Sequence, residues 1–71
     1  MSKEVEIIIL EQVKNKTLPL KLKVKGDLFK NFASVQVIET FTELEKTNKI
    51  SGYIDYDTYD PVLVIQAPKT F

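Results

Sequence analysis

DLFKNFASVQVIETFTELEKTN, residues Asp27 to Asn48, decides between a sheet carrying one helix and a small closed barrel, because most of the remaining chain alternates like strand. Leu28, Phe29, Phe32 and Ala33 fall at i, i+1, i+4 and i+5, which is one face of a helix. Val37, Ile38, Phe41 and Leu44 repeat that spacing one stretch later. Asp27 is of the type that caps a helix start, and Asn48 of the type that ends one, with Lys46 and Lys49 near the negative end of the dipole. Against the helix, Leu28, Phe32 and Val35 drift off the later stripe, and Val35, Val37, Ile38, Thr40 and Thr42 are all β-branched. A strand from Ser34 to Leu44, however, would place Glu39 between Val37 and Phe41 on the buried face. That misplaced carboxylate decides for a helix with a kink near Ser34.

Downstream, Ile50–Tyr56 alternates Ile50, Gly52, Ile54 and Tyr56 against Ser51, Tyr53 and Asp55. The turn residues of Asp57–Pro61 follow, and then the apolar, β-rich run Val62–Ala67, suited to an interior strand of a hairpin. Upstream, Leu18–Lys25 alternates most cleanly. Leu18, Leu20, Leu22 and Val24 face one way, and Pro19, Lys21, Lys23 and Lys25 the other. Pro19 cannot donate to a ladder, so it belongs at a sheet edge or at the first residues of the strand. Glu4–Val13 reads as a first strand with Val5, Ile7 and Ile9 on one face and Ile8 and Leu10 on the other. Lys14–Thr17 turns the chain between the two.

The expected fold is therefore α+β in the order ββαββ: a four-stranded antiparallel sheet with one helix on one face. The alternative is a small five-stranded SH3-like or OB-like β-barrel in which only Leu28–Ala33 makes a helical turn.

The 71 residues form one expected domain, 1–71, close to the lower size limit for unaided folding. With no cysteine there is no disulfide framework, so packing or a partner subunit must supply the stability. The lack of cysteine, of a signal-like start and of any apolar run near about 18 residues gives the expectation of a cytoplasmic protein without membrane contact. Net charge is zero, yet residues 1–35 carry seven lysines against four acids, and residues 36–71 three lysines against six acids. The halves are thus +3 and −3. All ten basic residues are lysine, which lacks the planar fork that reads guanine edges, so sequence-specific duplex recognition is disfavoured.

Much chemistry is excluded. Without histidine or cysteine there is no imidazole base, no thiolate and no zinc site of the usual kind. Gly26 and Gly52 are too far apart for a phosphate loop. No cofactor or metal is expected, and a non-enzymatic role is. The run Tyr53 to Asp60 departs from a calcium loop, because Asp60 stands where glycine belongs and no Glu stands at position twelve.

Four groups of residues remain. Tyr53, Asp55, Tyr56, Asp57, Tyr59 and Asp60 surround one turn and suit a partner-binding surface, since tyrosine gives large contact area at low entropy cost. The same residues also make an ordinary hairpin loop. Lys21, Lys23 and Lys25 could track a nucleic-acid backbone, or simply keep a strand face solvated. Asp27-Leu28-Phe29 is similar to the short acidic-Leu-Phe segments that enter clefts on other proteins, and a helix start feeding the core explains it as well. Ile8 and Leu10, on the second face of the first strand, are the expected homodimer interface. The functional expectation is a protein-interaction module, inhibitor- or adaptor-like, binding a partner protein. The alternative is a single-stranded nucleic-acid-binding domain.

Overall fold

The computed structural model describes residues 2–56 and 60–68. In chain order it contains helix α1 (Lys3–Asn15), strand β1 (Leu20–Lys23), a 3-10 turn (Asp27–Phe29), helix α2 (Ser34–Lys46) and strands β2 (Ile50–Asp55) and β3 (Val62–Pro68). The strands form one antiparallel sheet in the order β1-β3-β2, so the last strand in sequence is the central one. Two helices and three strands replace the expected ββαββ arrangement. Among the described residues neither the four-stranded sheet nor the five-stranded barrel is formed.

The difference begins at the first element, where the expected strand Glu4–Val13 is a helix. Ser2 caps it: its backbone is extended and its Oγ accepts a hydrogen bond from the Val5 amide at 3.2 Å. Glu4 and Glu6 occupy the first turn and Lys14 the last, each with the sign that suits the helix dipole. Val5 and Ile9, four residues apart, are buried, with Ile8 and Val13 packed against the same core. The period-two set Val5, Ile7, Ile9 is broken by Ile7, which is 49% exposed. Ile8 and Leu10 consequently lie on no second strand face. Both are half-buried against the helix-side core, so the reason for placing a dimer interface there disappears.

The segment 27–48 is helical in two pieces. After Gly26 the chain makes the 3-10 turn, in which the Phe29 amide donates to the Gly26 carbonyl and the Lys30 amide to that of Asp27. The expected kink near Ser34 is a complete break, and α2 starts afresh from Ala33. Val37, Thr40, Phe41 and Leu44 form its buried stripe, and Glu39 is exposed. The helix ends in a Schellman motif. Asn48 takes φ 64, its amide donates to the Glu45 carbonyl at 3.1 Å, and the Lys49 amide donates to that of Leu44 at 2.9 Å.

One buried cluster draws on every element: Val5 and Ile9, Leu22 and Val24, Phe29, Val37, Phe41 and Leu44, Ile50, and Leu63 and Ile65. Phe29 is only 1% exposed, so Asp27-Leu28-Phe29 spends its aromatic ring on the core and has none to offer a cleft elsewhere. Polar links also join α1 to the rest. Thr40, fully buried in mid-α2, accepts from the Ser2 amide at 3.0 Å and donates to the Gln36 carbonyl at 2.8 Å. Buried Glu6 meets Lys49 at 3.2 Å, just past the end of α2.

The Thr40 link gives a direct prediction. Thr40→Val keeps the shape but removes the acceptor of a buried amide, which should cost about 1–3 kcal/mol. Urea unfolding of the two proteins checks it, and an unchanged midpoint would mean that water serves the Ser2 amide equally well.

Candidate functional site

Both helices pack on one side of the sheet, and the register fixes what stands on the other. Side chains alternate along a strand, and directly paired residues share a face. Leu20, Ile65 and Gly52 form one row across β1, β3 and β2, and Leu22, Leu63 and Ile54 the next; these belong to the helix side. Between them lie the rows Lys21, Val64, Tyr53 and Lys23, Val62, Asp55, which face away from the helices. Lys21, Lys23 and Tyr53 are exposed there, as is Gln66 further along β3.

Val64 marks the centre of this open face. It is 4% exposed yet lies outside the helix-side cluster. Its row partners are Lys21 and Tyr53, and a lysine stem and a tyrosine ring are the neighbours long enough to cover a valine from either side. Val62, half-buried, extends the apolar strip along the same strand. β3 is thus apolar on both faces: Leu63 and Ile65 towards the helices, Val62 and Val64 away from them.

The two rival groups of the sequence therefore share one surface. Lys21 and Lys23 form its β1 edge, and Tyr53 and Asp55 its β2 edge, with the valine strip between. At one end Lys25 lies 3.8 Å from Asp60, both partly exposed, a pair of small energetic weight that joins the lysine strand to the hairpin. Tyr56 follows β2 and is 63% exposed. Asp57 and Tyr59, also expected at the partner surface, lie outside the described residues. Ile8 and Leu10 are on α1, on the opposite side of the sheet.

Val62 and Val64 are the site residues that sequence reading missed. Their signal was available: VLVI is apolar at consecutive positions, and an interior strand of that kind needs cover on both faces. Gly52 was also passed over. It sits at a bulge where Ser51 pairs with Ala67 and Gly52 with Ile65, leaving Gln66 as the extra residue of β3.

Among the described residues no group of three or more His, Cys, Asp or Glu is placed to hold a metal ion, and no helix is long and apolar enough to cross a membrane. Comparison with protein-family models, with curated proteins and with solved structures gives no match to this chain.

Proposed function

We propose that this chain is a small non-enzymatic interaction module of the cytoplasm, inhibitor- or adaptor-like, which binds a partner protein through its open sheet face. The row Lys21, Val64, Tyr53 carries the reading. An apolar centre flanked by a half-exposed tyrosine and a lysine stem has the composition of a protein contact: aromatic anchor, small dry core, charged rim. Asp55 on the same face gives the rim both signs, which suits a protein surface better than a uniformly negative one.

A second reading, binding of single-stranded nucleic acid, gains from one observation. Tyr53 stands on the same face as Lys21 and Lys23, so a base could stack on the ring while the lysines meet phosphates. Asp55 within that face weighs against it. Insertion of α2 into a duplex groove is disfavoured, since its exposed side carries Glu39 and Glu45 against Lys46.

Capture from a lysate of the source cells, with and without nuclease, separates the readings. Tyr53→Ala should abolish capture of a protein that survives nuclease treatment, while Lys21→Glu with Lys23→Glu weakens it by roughly tenfold or less. Capture lost on nuclease treatment, or indifferent to Tyr53→Ala, would overturn the protein-binding reading.

A further inference from the structure

We infer that the open sheet face takes a second copy of this chain, the two sheets stacking about a two-fold axis that runs parallel to β3. This rests on the reading of that face as a protein-binding surface and names its occupant.

The argument starts from the central strand. β3 is apolar on both sides, and among its described side chains Leu63 and Ile65 belong to the helix-side cluster. Val62 and Val64 lie on the other face, where Val62 is half-buried and Val64, only 4% exposed, is already covered within the chain, so the contact is carried by Val62 and by the side chains that flank the strand. Rotation about an axis parallel to β3 leaves each row at its own height and exchanges the two edges of the sheet. The β1 edge of one copy then lies over the β2 edge of the other. Lys23 comes to face Asp55 of the second copy, and Lys21 faces the ring of Tyr53, each contact occurring twice. Val62 faces its own counterpart across the axis.

The charges are thus complementary under that rotation: a lysine edge and a tyrosine–aspartate edge, placed at matching heights by the register. A carboxylate has several acceptor positions, so Asp55 can receive a lysine while keeping a contact within its own chain. Lysine over a tyrosine face is a favourable cation–π arrangement. Sheets stacked face to face lie about 10 Å apart and within about 30° of aligned, a gap that lysine stems and tyrosine rings can span. A formal net charge of zero removes long-range repulsion between copies.

The size of the face sets the strength. Three strands about 4.8 Å apart and four to seven residues long give a patch of a few hundred Å² per copy, below the roughly 800 Å² per partner of a standard interface. Association is therefore weak and reversible, with a midpoint between about 10 μM and 1 mM.

The test is sedimentation equilibrium of the full chain across that range, followed by charge exchange. The wild type should move from monomer to dimer mass. Lys23→Asp alone, or Asp55→Lys alone, sets like charges opposite each other twice and should weaken association about tenfold or more. An equimolar mixture of the two variants should recover it, because both cross-pairs are then of opposite sign. Neither side chain belongs to the buried cluster, and far-UV circular dichroism verifies that both variants keep the fold. Monomer mass throughout, or a wild-type dimer indifferent to both exchanges, or variants that fail to recover on mixing, would each overturn the second copy as occupant. Tyr53-dependent capture of a different protein by a monomeric chain would leave the protein-binding reading standing, which keeps the two failures distinct.

Discussion

Phe41→Ala is expected to remove a large fraction of the chain's stability at 25 °C. Phe41 is fully buried in the middle of the α2 stripe, in the cluster that also holds Val5 and Ile9 of α1, Ile50 of β2 and Leu63 of β3. Truncating a buried phenylalanine costs about 3–5 kcal/mol, part of it transfer free energy and part the cavity left behind. At roughly 0.05–0.15 kcal/mol per residue, a chain of 71 residues has about 4–11 kcal/mol in all. The loss is therefore a large fraction of that total and matches it at the lower end, and there is no disulfide to hold the remainder. Urea titration followed by far-UV circular dichroism reads it. A midpoint lowered by less than the equivalent of about 1 kcal/mol would show that neighbouring side chains refill the space.

Gly52→Ala is expected to open the β2–β3 pairing for a different reason. A Cβ at Gly52 would lie deep inside the van der Waals radius of the Val64 carbonyl oxygen and 3.1 Å from the Ile65 Cα. Both obstacles are backbone of the central strand, which cannot rotate aside as a side chain does. The close approach comes with the bulge, where β3 carries one residue more than β2. Accommodating a single methyl requires the strands to separate locally, at a cost of about 3 kcal/mol or more. Amide hydrogen exchange gives the sharpest reading: protection should fall in β2 and β3 while α2 changes less. Uniform loss across the chain, or none, would refute a local origin.

Several elements were legible from the residues alone, each for a physical reason. The in-and-out phase of β1 follows from strict alternation of leucine with lysine. The helical state of 34–46 follows from the cost of burying Glu39. Asn48 carries the left-handed turn because its side chain tolerates positive φ. The central place of β3 follows from its apolar run. The first element misled because Val5, Ile7 and Ile9 fit period two while Val5, Ile8, Ile9 and Val13 fit a helix, and a run of isoleucines satisfies both. The helical punctuation was nevertheless present: Ser2 before the run, Glu4 and Glu6 at its start and Lys14 at its end. Giving those charges more weight than β-branching would have changed the strand to a helix. The site was legible only in pieces. Lys21, Lys23, Tyr53 and Asp55 could each be named, but that they share one face depends on the register of two edge strands against β3, and alternation within a strand says nothing about register.

The strand order has a consequence for how the protein is made. β1 and β2 do not pair with each other; each pairs with β3, which follows both in sequence. A ribosome delivers Leu20–Lys23 and Ile50–Asp55 before their common partner exists. Until Val62–Pro68 emerges, the nascent chain can wind its helices but cannot form any of its sheet, and Leu22 and Ile50 have no closed core to enter. Folding is therefore gated by the arrival of one seven-residue segment. A chain halted before Val62 would be two helices with two unmated strands, bait for chaperones and proteases alike.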